Sequence, residues 1–107
     1  MGVETADTID LIGVDNQTGR VVLTITDHLP WDSDEHLAVL QDKLNAYLRF
    51  VESGELLQKY SDARGRKPEI SIVFKHPPTA VAKDFLGKVS RILDGAGVAF
   101  RHETLAH

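Results

Sequence analysis

Three observations predict an α+β fold for this chain: two β-branched runs joined by a short turn, two long amphipathic stretches each closed by glycine, and one further strand after each stretch. The expected architecture is a two-layer sandwich in ββαβαβ order, a four-stranded mixed sheet with both long helices on one face. A chain of 107 residues, 42% hydrophobic and 26% charged, suits one domain over residues 1–107 with a single core, and residues 1–7 are expected to be disordered.

The first two strands are Ile9-Asp10-Leu11-Ile12-Gly13-Val14 and Val21-Val22-Leu23-Thr24-Ile25-Thr26. Between them Asp15-Asn16-Gln17-Thr18-Gly19 is a turn sequence ending in the residue that tolerates positive φ, so the pair forms a hairpin. In the second strand Val21, Leu23 and Ile25 share one side, which marks the core face. Asp32 and Glu35 are spaced as a capping box, and Leu37, Leu40, Leu44, Tyr47, Leu48 and Val51 then recur at helical intervals until Gly54. A short helix over residues 55–60 and a loop over 61–68 follow. Ile70, Ile72 and Phe74 alternate as the third strand, ended by Pro77-Pro78. Thr79 caps the second long helix, whose stripe is Ala82, Phe85, Leu86, Val89, Ile92 and Leu93, and Gly95 and Gly97 stop it. Val98-Ala99-Phe100-Arg101 is the last strand. A strand reached through a helix pairs most simply in parallel, and two such crossovers in one direction place both helices on one face. The expected strand order is 1-2-3-4, with strand 1 inserted between 2 and 3 as the competing arrangement.

Composition removes several functions. The absence of cysteine excludes a disulfide framework, a thiol nucleophile and thiolate zinc sites. A net charge of −4 opposes binding by general phosphate attraction, so nucleic acid is not the expected partner. No apolar run approaches the roughly 20 residues of a membrane span, and Met1 to Thr8 carries two acids, no base and no apolar segment, unlike a secretory signal. A cytoplasmic location without membrane contact is expected. Neither GxGxxG nor GxxxxGK[ST] nor GxSxG occurs, and no cofactor is expected.

Parallel pairing of the last three strands gathers their carboxyl ends at one edge, together with Asp27, His28, Trp31, Asp32, His76 and His102, and with His36 in the first turn of the helix. Ligands of open α/β sheets commonly sit outside that edge, where helix amino ends offer free N–H groups. The candidate ligand-binding residues are therefore Asp27, His28, Trp31, His76 and Thr79. No catalytic residue and no metal ligand is assigned, because no HxH or HxxxH spacing pre-assembles a metal site. Asp27 and His28 would suit acid–base chemistry, yet neighbours on an extended strand point to opposite faces. The structural alternative has Asp27 turning the chain and Trp31 packing under the helix start. Gln41, Asn45 and Arg49 form a polar row that reads first as a wet helix face and second as a recognition strip. Arg64-Gly65-Arg66-Lys67 reads as a solvated basic loop.

The runs Ile9-Asp10-Leu11-Ile12-Gly13-Val14-Asp15, Val22-Leu23-Thr24-Ile25-Thr26-Asp27-His28-Leu29, Leu40-Gln41-Asp42-Lys43-Leu44-Asn45-Ala46-Tyr47-Leu48 and Phe50-Val51-Glu52-Ser53-Gly54-Glu55 resemble a family of small bacterial proteins known as a domain of unknown function. The resemblance spans nearly the whole chain and implies a stand-alone bacterial cytoplasmic domain with no assigned activity. The expected function is an interaction or accessory domain that binds a protein or peptide partner, with self-association as one form of it. The competing expectation is a small-ligand-binding protein or small enzyme using the carboxyl edge of the sheet.

Overall fold

The computed structural model describes residues 11–31 and 35–105. Strand β1 (Leu11–Val14) pairs antiparallel with β2 (Val21–Asp27), so that Leu11 faces Thr24 and Val14 faces Val21. Asp15 organises the turn between them: its amide donates to the Arg20 carbonyl at 2.9 Å, and its carboxylate accepts from Gln17 N at 2.8 Å. Gly19 at φ 74° supplies the left-handed step. Strand β3 (Pro68–Phe74) runs parallel to β2, and β4 (Ala99–Thr104) runs parallel to β3, giving the order β1-β2-β3-β4. This is the order expected from the crossovers, and it sets aside the inserted-strand alternative.

Helix α1 (Glu35–Glu52) returns the chain from β2, and the short α2 (Glu55–Lys59) with a 3-10 turn (Ser61–Ala63) leads into β3. Gly54, at φ 87°, separates α1 from α2. Helix α3 (Ala80–Gly95) joins β3 to β4. Its carboxyl end closes through Gly97 N to Asp94 O at 3.0 Å and Val98 N to Leu93 O at 2.9 Å, with Gly97 at φ 77°. The core lies between the sheet and the helices: Val21, Leu23, Ile25, Ile70, Ile72 and Phe74 from the strands meet Leu40, Leu44, Tyr47, Leu86 and Leu93.

Several sequence expectations need correction. The α1 face that is buried is His36, Leu40, Lys43, Leu44 and Tyr47, whereas Leu37, Leu48 and Val51 are half-buried. The helix is therefore rotated from the expected apolar stripe, and a lysine occupies the core side. On α3, Ala82, Leu86 and Leu93 are buried, while Phe85 and Val89 are half-buried and Ile92 is 64% exposed. The last strand begins one residue later than expected and continues to Thr104, because its backbone follows β3 in register as far as Phe74. The expected disorder of residues 1–7, the start of the first strand and the Asp32 cap lie outside the described residues.

Candidate functional site

The inward side chains of β2 are Val21, Leu23, Ile25 and then Asp27, so the strand's alternation carries a carboxylate to the rim of the apolar layer. Its register partner is Phe74, the last residue of β3. One carboxylate oxygen, Oδ1, accepts from Leu29 N at 3.1 Å and turns the chain out of the strand. The other, Oδ2, lies 2.5 Å from Nε2 of His36 in the first turn of α1. Asp27 is 1% exposed and His36 3%.

Trp31 closes over this pair. Its ring stacks on the His36 imidazole with centroids 3.6 Å apart and leans on Phe74 at 5.6 Å. Its indole N–H donates to the His76 carbonyl at 3.1 Å. A strand end, a helix start and the segment after β3 are thus tied by one carboxylate, one imidazole and one indole. Because Nε2 faces the carboxylate, it is the nitrogen that carries the donated proton. The other ring nitrogen, Nδ1, is buried and has no hydrogen-bond partner among the described residues.

The five expected site residues therefore divide. Asp27, Trp31 and the backbone of His76 come together. His28 is exposed beyond the strand end. Thr79 acts as the cap of α3, its hydroxyl accepting from Ala82 N at 3.2 Å. The histidine that Asp27 meets is His36, nine residues away. The signal for this was the alternation itself, which puts Asp27 on the same side as Ile25 and facing the helix. Chemically the pair can hold and orient a proton, but its burial directs it toward joining β2 to α1. Among the described residues no three histidine, aspartate or glutamate side chains form a group able to hold a metal ion.

Two other features stand out. Helices α1 and α3 leave a groove of about 220 Å³ between them, floored by Leu44 and Leu93 and walled by Leu48, Phe85, Val89 and Ile92. Gln41 and Asn45, two members of the polar row on α1, stand along one rim and Lys88 along the other. On the helix-free side of the sheet, Glu69 accepts from Arg20 Nη1 at 2.9 Å and from Arg101 Nε at 3.0 Å, linking three adjacent strand segments. Its side chain is 5% exposed.

No helix among the described residues is long and apolar enough to cross a membrane. No curated protein matches the chain. No solved structure matches it either. The model of a family of unknown function, DUF6572, matches residues 1–106, nearly the entire length, and the chain belongs to that family.

Proposed function

We propose that this domain is an interaction module of the bacterial cytoplasm, receiving an amphipathic helix of a partner protein in the groove between α1 and α3. The observation that carries the reading is the apolar lining of that groove, which leaves Ile92 64% exposed beside the half-buried Phe85 and Val89. Residues 41–48 of α1 and 85–93 of α3 line it, a length of about 10–12 Å at 1.5 Å rise per residue. That equals the span from i to i+7 on a helix, so two or three apolar anchors of a partner fit along it. Lys88 is the charged member of the lining, and its pairing with Asp84 at 3.3 Å is exposed and easily exchanged. The occupant is accordingly a helix with acidic residues beside its apolar stripe, while Gln41 and Asn45 offer amides to its backbone ends or polar flank.

A displayed library of helical peptides tests this reading. Selection should enrich sequences with apolar anchors at i, i+4 and i+7 and an acidic flank, and Ile92→Lys should abolish their binding without lowering the melting temperature. Enriched peptides that still bind Ile92→Lys, or a wild-type dimer that this substitution dissociates, would overturn the assigned occupant. The carboxyl edge of the sheet has less support as a small-ligand or catalytic site, because Asp27 and His36 are spent on each other beneath Trp31.

A further inference from the structure

At the opposite end of the sheet from Asp27, three cations from three chain segments line one concavity of about 350 Å³: Arg20 before β2, Lys67 before β3 and Arg91 on α3. Ser90 and Asp94 complete its polar side, and Val98 and Phe100 form an apolar wall. We propose that this concavity binds the phosphate of a small phosphomonoester whose organic body lies against Phe100.

The loop that looked merely solvated is held in place. Arg66 donates from Nε to Asp62 O at 2.9 Å and from Nη1 to Gly19 O at 3.0 Å, which fastens residues 62–66 to the β1–β2 turn. Val21 N donates to Lys67 O at 3.1 Å, so Lys67 and Arg20 begin adjacent strands side by side. Glu69 grips one nitrogen of Arg20, and the remaining guanidinium nitrogens have no hydrogen-bond partner among the described residues. Lys67 and Arg91 likewise have no ion-pair partner there, although Asp94 shares the concavity. Three cations stand against two carboxylates, Asp94 in the concavity and Glu69 on Arg20, which leaves one positive charge in excess for an anion to meet. A phosphomonoester carries about −1.5 to −2 charges at neutral pH, and a guanidinium matches its oxygens in pairs. The carboxyl end of α3 would repel an anion, but its last carbonyls are already taken by the amides of Ala96, Gly97 and Val98. A cavity of this volume suits a small molecule, and the chain's net charge of −4 works against a long polyanion. This site lies on the flank of α3 away from the partner groove and does not depend on it.

Amide chemical-shift titrations at physiological ionic strength, with inorganic phosphate, phenyl phosphate and a short single-stranded oligonucleotide as probes, decide the matter. Phenyl phosphate should saturate shifts at Lys67 and across 90–100 and bind several-fold more tightly than inorganic phosphate. Lys67→Ala combined with Arg91→Ala should weaken it by at least about ten-fold, roughly 1.4 kcal/mol, with the thermal transition unchanged, since both side chains are exposed. Equal affinity for inorganic phosphate would overturn the organic-body assignment. Tighter binding of the oligonucleotide, or shifts spread equally to Lys59 and Lys83, would overturn the site.

Discussion

Three ionisable side chains show how polar groups enter this small core. The carboxylate of Asp27 and the imidazole of His36 are each almost completely buried and hydrogen-bond to one another through Oδ2 and Nε2. Removing one partner leaves the other desolvated, so Asp27→Ala should lower unfolding free energy by about 3 kcal/mol in urea titration. Asp27→Leu combined with His36→Leu should lose less, because no buried ionisable group is then stranded and only the half-buried Leu29 amide loses its acceptor. Lys43 is also fully buried, its ammonium 5.3 Å from the Tyr47 ring centroid, while the Tyr47 hydroxyl donates to Thr24 O at 3.0 Å. At the surface, the Gln17 amide donating to Asp15 holds that carboxyl below the usual carboxylate range. A depressed folded-state pKa stabilises above the unfolded value and is lost as pH falls through the folded one. Asp15→Asn should therefore remove part of the acid sensitivity of folding, visible as a flatter midpoint-against-pH curve on the acid side.

Among the elements, α1 and β3 bear the most packing. Leu40 on α1 has no exposed surface, and Leu40→Ala should cost about 2–5 kcal/mol through lost transfer free energy and the cavity left behind. A urea midpoint equal to that of the wild type would show that α1 is not seated on the sheet as described. Strand β3 has neighbours on both sides, and its Glu69 binds two arginines whose side chains are 39% and 60% exposed. Those guanidiniums stay hydrated when the carboxylate is removed, so Glu69→Gln should cost only about 1–2 kcal/mol. At the end of α3, Gly97→Ala places a Cβ at φ 77° and should cost about 1 kcal/mol, although the space around it is open.

For the molecule as a whole, the layered arrangement leaves one outer strand carrying successive charged or titratable side chains, Arg101, His102 and Glu103 on β4, all exposed. Such side chains discourage another strand from pairing along that edge. Replacing His102 by Ile and Glu103 by Val should raise the mean mass seen by light scattering relative to the wild type; an unchanged mass would show that charge is not what protects β4. The helix layer differs, because its groove presents apolar walls to solvent. The charged edge of β4 and the apolar groove between α1 and α3 are thus separate surfaces.

Strand and helix identities, the cap at Thr79, the 1-2-3-4 order and the gathering of Asp27, Trp31 and His76 at one edge were legible in the chain, because each follows from local periodicity or from the path of a crossover. The same alternation that predicted the β2 core face also carried Asp27 inward. What the sequence did not disclose was which side chain Asp27 would meet, that Lys43 would be buried, or that Arg20 and Arg101 would converge on Glu69. Those contacts depend on register between strands and on the rotation of α1 about its axis. One residue of helix turns a side chain by about 100°, so a small rotation exchanges core, groove and solvent positions. That rotation is set when the whole helix layer packs against the sheet, which is why Leu48, Phe85, Val89 and Ile92 became groove walls although their spacing alone marked them as core.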